Sequence, residues 1–158
     1  MPRIEEQIEI AAKQADVFRF CHDGNRRAEW DEQVKGVELL TPSPIRQGTL
    51  LRFDATSGGS VFTWDGEVTG FQFPASSRVR VIDAASSSPF GQGSQLTWQL
   101  SASGNSTRFT WIWEYEPRGF IARIKDSLGG RAATQRAIKS SLNNLKAIME
   151  GSRRTHAR

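Results

Sequence analysis

Reactive side chains are scarce in this chain of 158 residues, which holds one cysteine, two histidines and one tyrosine. A lone cysteine, Cys21, excludes an internal disulfide and suits a reducing compartment, so a cytoplasmic protein is expected. His22 and His156 lie far apart, and no His, Cys or carboxylate cluster has metal-ligand spacing, so neither a metal nor a cofactor is expected. No glycine-rich phosphate loop follows a strand. Cys21 and His22 are neighbours, but adjacent residues of a helix point in different directions, which speaks against a cysteine nucleophile. Ser86, Ser87 and Ser88 have no evident base.

Long apolar runs are missing too. None approaches the roughly 18 residues of a membrane span, and the opening "MPRIEEQIEIAAKQ" lacks the apolar stretch of a signal peptide. This leaves room for transient contact with a membrane surface but not for a transmembrane segment. No repeat, low-complexity tract or linker appears, so residues 1–151 read as one domain and 152–158 as a basic, flexible tail. The net charge is +4, and without the tail arginines Arg153, Arg154 and Arg158 it falls to +1. The chain therefore has no basic face, and a nucleic acid partner is not expected. Nothing in the sequence sets an oligomeric state.

What the chain does have is alternation. In "TRFTWIWEYEPRGF", residues 107–120, the rings of Phe109, Trp111, Trp113 and Tyr115 fall at every second position, the spacing of one strand face. Residues 4–11 read as a first strand and 15–22 as a short helix with Val17, Phe18 and Cys21 on its apolar side; a further helical turn fits the residues before Trp30. Strand patterns follow at 33–41, 46–56, 60–70, 76–84, 93–103 and 106–116, with "SGG" at 57–59 and "SGN" at 103–105 as hairpin turns. After Pro117 the period changes. Ile121, Ile124, Leu128, Gln135, Ile138, Leu142, Leu145 and Met149 recur every three or four residues, which predicts one amphipathic helix over 120–150. Gly129 and Gly130 interrupt it, marking a kink or a close approach, and Gly151 is a stop signal. The fold class is α+β: a strongly curved antiparallel sheet of six or seven strands wrapped around a long C-terminal helix.

Several stretches carry a family likeness. "IEIAAKQADVFRF" fits an opening strand and helix, Asp23 and Trp30 an aspartate and tryptophan after that helix, and "IRQGTLLRF" a strand opening on Gly-Thr. "WDGEVTGFQFPASSRV" fits a strand ending in a proline turn, and "STRFTWIWEYEPRGF" a last strand leading into the long helix. Together they resemble the START-like (SRPBCC) superfamily and its polyketide cyclase/dehydrase and lipid-transport branch. The resemblance implies a helix-grip fold, in which the space between sheet and helix is often a ligand cavity; it does not name the chemistry.

The alternation assigns the inward face. Leu51 and Phe53, Phe62 and Trp64, Val79 and Val81, Leu96 and Trp98, and the four rings Phe109, Trp111, Trp113 and Tyr115 should share the concave side, joined from the helix by Leu128 and Gln135. These are the candidate ligand-binding residues, although the same rings also suit a packed core. Glu67 and Glu114 fall on the opposite face. For proton transfer the candidates are Tyr115, Asp83, which continues the Val79–Val81 alternation, and Arg131. The first reading is therefore binding or transport of a small hydrophobic molecule, such as a lipid, isoprenoid, polyketide or sterol-like compound. The alternatives are a cyclase or dehydratase using the same cavity, favoured by a polar pair inside it, and a partner-binding or chaperone-like module, favoured by an exposed apolar patch beside the opening.

Overall fold

The computed structural model describes residues 1–156, with side chains through Gly151. Seven strands form one antiparallel sheet: β1 (Arg3–Ile10), β2 (Val34–Leu39), β3 (Leu50–Ser57), β4 (Ser60–Gln72), β5 (Ser76–Ala84), β6 (Gln95–Ser103) and β7 (Ser106–Glu114). Their spatial order is β1-β7-β6-β5-β4-β3-β2. A meander from β2 to β7 thus finishes by pairing β7 with the first strand, Ile8 opposite Phe109 and Ile4 opposite Trp113. The β3–β4 connection is a two-residue hairpin, with Ser57 paired to Ser60. Its tip residues Gly58 and Gly59 have φ of +57° and +85°, a left-handed pair that glycine adopts without steric cost. Between β1 and β2 lie α1 (Gln14–Cys21) and a 3-10 turn (Gly24–Glu29), capped by the Asp23 carboxylate, which accepts from the Asn25 N–H.

One irregularity overturns an expectation. On β5, Val81 pairs with Gly66 and Asp83 with Asp65, so Ile82 is an extra residue without a partner. Such a bulge shifts the phase of the strand by one. Val81 and Ala84 consequently point inward and are buried, whereas Asp83 is exposed on the outer face. Asp83 was expected inside because alternation was carried through a position where the backbone breaks it.

The C-terminal helix also departs from the single rod. It consists of α2 (Gly119–Lys125), a wide turn over Asp126–Gly130 and α3 (Arg131–His156). Gly129 sits at φ +130°, which residues with side chains rarely adopt. A Cβ at Gly130 would come within 2.9 Å of the Lys125 carbonyl oxygen. The two glycines thus serve a kink in which the chain approaches its own backbone. α3 continues through Gly151, which is not a stop; the tail expected at 152–158 ends in two residues outside those described.

The kink divides the apolar stripe. Ile138, Leu142, Leu145 and Met149 of α3 are buried, packed in one core with Ile4, Ile10, Phe18, Trp98 and Phe109. Ahead of the kink, Ile121 and Leu128 are 69% and 81% exposed. Trp30, left outside the aromatic set by the alternation, is buried in this core, its ring 5.5 Å from that of Trp98 and 6.0 Å from that of Trp111. Asn144 holds the Trp30 carbonyl at 3.2 Å, and the Ser141 hydroxyl accepts from the Glu32 N–H at 2.9 Å, so polar groups of α3 fix the chain around Trp30. A second core lies under β2–β5: Val34, Leu51, Phe53, Ala55, Phe62, Trp64, Val68 and Val81. The Phe53 and Trp64 rings stack there at 4.0 Å.

The divided stripe sets an expected outcome. Leu142→Ala and Leu145→Ala should each lower unfolding free energy by about 2–5 kcal/mol. Leu128→Ala should change it by no more than about 0.5 kcal/mol. Urea titrations of the three variants check this; equal losses at Leu128 and Leu142 would show that the stripe is buried along its whole length.

Candidate ligand-binding cavity

Between the two cores lies a cavity of about 430 Å³. Its apolar wall comes from Phe62 and Trp64 of β4, Phe90 of the β5–β6 loop, Leu96 of β6, and Trp111, Trp113 and Tyr115 of β7. The opposite side is built by Ile121, Ala122 and Lys125 of α2, Asp126 and Gly130 of the kink, and Thr134 of α3. Its exposed lining residues mark the mouth: Gly58 and Ser60 of the β3–β4 hairpin, Ser87 and Pro89 of the β5–β6 loop, Arg118, and Ile121 and Lys125 of α2. The loop is strapped to the β7–α2 linker. Gly91 N–H donates to the Glu116 carbonyl at 2.9 Å, Arg118 N–H to the Pro89 carbonyl at 3.0 Å, and the Arg118 guanidinium to the Ala84 and Ala85 carbonyls. One side of the mouth is thereby fixed.

The aromatic strand is graded along its length. Phe109 is fully enclosed, Trp111 packs against Trp30 and Trp98 and touches the cavity with part of its surface, and Trp113 is only half-buried. Trp113 stacks on Tyr115 with a 7° angle between ring planes, while Phe90 meets it edge-on at 5.0 Å. The face reads as core at one end and as cavity wall at the other.

Polar residues such as Gln33, Thr56, Ser88 and Thr134 also border the volume, and two clusters at its border carry charge. At the inner end, Arg27 Nε donates to Asp31 Oδ2 at 2.7 Å, with side chains only 8% and 1% exposed. The Gln33 N–H donates to Asp31 Oδ1 at 3.0 Å. The guanidinium lies 4.4 Å from the Trp98 ring centre and within 5.6 Å of those of Trp30 and Phe53. Among the described residues its two terminal nitrogens have no hydrogen-bond partner. Near α2, Tyr115 Oη donates to Asp126 Oδ1 at 2.5 Å, and Arg131 donates to Asp126 Oδ2 at 2.9 Å. Burial, and then the carboxylate beside it, push the Tyr115 hydroxyl up to about 12, against the pull of Arg131. At neutral pH Tyr115 is a donor already committed to Asp126, not a base.

A second cavity of about 290 Å³ lies beyond Arg27, lined by Cys21, His22, Leu51, Phe53, Ser77, Val79 and Trp98, among others. Arg27 and Leu96 line both cavities and form their common wall. His22 Nδ1 is 2.8 Å from the Phe18 carbonyl and Nε2 is 2.7 Å from the Ser77 hydroxyl. A carbonyl only accepts, so Nδ1 carries the proton and Nε2 accepts from Ser77. Burial first, and the nearby Arg27 charge next, lower the imidazole to about 4, against the Phe18 hydrogen bond. Burial pushes the Cys21 thiol up, which keeps it unreactive.

Of the candidate residues, Phe62, Trp64, Leu96, Trp111, Trp113 and Tyr115 meet around the larger cavity. Leu51, Phe53, Val79, Leu96 and Trp98 meet around the smaller. Val81 and Phe109 are fully buried and border neither, and Gln135 is held by Glu6 at 2.6 Å. Leu128, Asp83 and Arg131 lie outside both linings; the kink turns Leu128 to solvent, the bulge turns Asp83 outward, and Arg131 is paired with Asp126. Arg27, Asp31, Asp126, Phe90 and Ser77 were missed. Ser77 shares the alternation of Val79 and Val81, so its direction was legible. Arg27 and Asp31 are four apart within "GNRRAEWDE", a spacing that on a helix surface is an ordinary ion pair. Among the described residues no three His, Cys, Asp or Glu side chains are grouped to hold a metal, and no helix is long and apolar enough to cross a membrane.

Comparison with known proteins agrees with this geometry. The family described as polyketide cyclase / dehydrase and lipid transport matches residues 1–150. A protein of Thermus thermophilus is similar in structure at a TM-score of 0.78 and 18% identity, covering 96% of this chain and 99% of that one. A Streptomyces aromatase/cyclase is similar at 0.76 and 17%, covering 94% and 93%. A START superfamily protein of Mycobacterium smegmatis is similar at 0.73 and 16%, covering 94% and 97%. At such identities the likeness shows the helix-grip fold. No curated protein matches the chain by sequence.

The His22 environment gives a pH dependence. Its folded value of about 4 lies below the unfolded value of 6.5, so the unfolded chain binds more protons between them. The stability this neutral ring contributes is complete above pH 6.5 and is lost as pH falls toward 4. Between pH 7 and 5 the loss should be about 2 kcal/mol. His22→Gln should flatten that part of the profile, measured by urea unfolding at each pH; an unchanged slope would show that His22 titrates normally.

Proposed function

Because the chain belongs to the polyketide cyclase/dehydrase and lipid transport family, we propose that its larger cavity binds an apolar small molecule bearing an acceptor oxygen, with Arg27 as the anchor. The observation that carries this reading is a guanidinium in the wall of an apolar cavity, with its two terminal nitrogens unpartnered among the described residues. These nitrogens are not among the fully enclosed unpartnered side-chain atoms of the described residues, which are Trp30 Nε1, Thr69 Oγ1, Trp98 Nε1 and Trp111 Nε1, so they keep surface at which a ligand oxygen can be received. A volume of about 430 Å³ falls in the usual range for small-ligand sites. Arg27 and Asp31 together are neutral, so a neutral carbonyl or phenol oxygen suits them better than a carboxylate, which would bury an excess negative charge. The ligand's apolar body would lie along Trp64, Trp111 and Trp113.

A second reading, a cyclase or dehydratase acting on a polyketone, draws on the same polar pair and on the aromatase/cyclase among the similar structures. Arg27 would polarise a carbonyl, but Asp31 already accepts from Arg27 and from the Gln33 N–H, and Tyr115 already donates to Asp126. With no free base beside Arg27, binding is the better supported of the two.

Prodan, an apolar fluorophore with one ketone, tests the anchor beside its ketone-free naphthylamine analogue. Replacing Arg27→Met together with Asp31→Asn avoids leaving a lone buried carboxylate. This variant should bind prodan roughly 10- to 100-fold more weakly, the worth of a hydrogen bond to a charged donor, and the analogue unchanged. Equal prodan affinity in wild type and variant would remove Arg27 as anchor. Trp113→Leu should alter prodan affinity more than stability, because its ring is half-buried. Trp111→Leu should cost several kcal/mol of stability, at the scale of large core truncations. The opposite ranking would mean that Trp113 is core and Trp111 is the contact.

A further inference from the structure

Large apolar side chains stand in solvent around the cavity mouth. Phe120, Ile121, Ile124 and Leu128 are 78%, 69%, 41% and 81% exposed. The 100° step of a helix keeps Phe120, Ile121 and Ile124 within one side of α2, and Leu128 follows in the turn. Val61, next to the hairpin residues that line the same mouth, is 60% exposed. The exposed apolar groups therefore occupy both segments flanking the opening. Adjacent apolar exposure of this kind marks a contact surface rather than scattered surface residues.

Charge indicates what covers it. Arg118, Arg123 and Lys125 are exposed beside the apolar residues, and Arg131 follows the kink. Two acids accompany these four bases: Glu116, 3.1 Å from Arg123, and Asp126, which is held by Arg131 and Tyr115. Lys125 and Arg118 make no ion pair among the described residues. Apolar side chains interspersed with an excess of Lys and Arg are the composition of a segment that lies at an anionic lipid interface. The break at Gly129 separates this segment from α3, so the exposed apolar residues ahead of it are not part of the buried stripe.

We propose that the rim of the mouth, α2 with its following turn and the tip of the β3–β4 hairpin, docks on an anionic phospholipid bilayer, so that the cavity opens toward the apolar phase. The inference rests on the apolar-ligand reading, and the experiment separates the two. Wild-type protein is sedimented with phosphatidylcholine vesicles and with vesicles that also contain phosphatidylglycerol. Binding to the anionic vesicles should be roughly 10- to 100-fold tighter, as expected for two or three basic groups at a charged surface, and should weaken with salt. Phe120→Ser with Leu128→Ser should abolish sedimentation while leaving the thermal midpoint unchanged, since both side chains are exposed. Arg123→Glu with Lys125→Glu should erase the preference for anionic vesicles.

Prodan binding in solution is measured on the same proteins. Wild type that binds prodan but neither kind of vesicle overturns the docking and leaves the cavity reading standing. Vesicle binding that follows these substitutions without any prodan binding upholds the docking and removes the cavity reading. Equal binding to both vesicle types, or sedimentation unaffected by Phe120→Ser with Leu128→Ser, overturns the proposal. So does a wild-type dimer that ignores vesicles and that these serines dissociate, since a second copy of the chain is then what covers the patch.

Discussion

One helix must cover the inner face of seven strands, and it is too narrow to do so. Strands lie about 4.8 Å apart, so a seven-stranded sheet is roughly 29 Å across before it curls. A helix with its side chains is about 10–12 Å wide and shields two or three strands. α3 lies over the β1, β7 and β6 side, where its leucines join Ile4, Trp98 and Phe109. The face of β2 to β5 has no helix of its own. Curling brings that face around to α1 and the 3-10 turn instead, where Phe18 meets Phe71 and Arg27 faces Phe53, and α2 stands across the open cavity. Two cores and the volume between them follow from this mismatch of widths.

The Arg27–Asp31 pair belongs at that boundary. An ion pair removed from water loses solvation that its own attraction seldom restores in full, so its place in a hydrophobic core needs other support. Here the support is local: the guanidinium faces the Trp98, Trp30 and Phe53 rings, one from each side of the divided core and one from the turn itself. Asp31 is held in addition by the Gln33 N–H. The same side chain separates the larger cavity from the smaller, so the polar group that is costliest to bury is also the one that determines how far an occupant could extend.

Legibility in the sequence followed the range of the interactions. Alternation is local, and it located the strands, the hairpin at 57–59 and the inward rings of β4, β6 and β7. It failed at Asp83, where one inserted residue reverses the phase, because a bulge has no side-chain signature in "VRVIDA". The helical period located α3 but did not reveal that its stripe changes neighbours at Gly129; periodicity reports which side is apolar, not whether anything lies against it. Arg27 and Asp31 were harder still. Their burial depends on Trp98 and Phe53, which are distant in sequence, and nothing within "GNRRAEWDE" distinguishes an enclosed pair from a solvated one.

The glycine pair at 129 and 130 has a consequence for how such a chain can diversify. A continuous helix would transmit any insertion ahead of it as a rotation of about 100° per residue, turning Leu142 and Leu145 off the sheet. A joint whose geometry is set by Gly129 and by the contact between Gly130 and the Lys125 carbonyl absorbs such changes before they reach α3. The stretch from 119 to 124, between the Arg118 strap and the Lys125 carbonyl, holds no buried residue and is therefore where side chains can be exchanged without disturbing the joint. The mouth can be rebuilt for a different occupant while the register of the grip stays as it is.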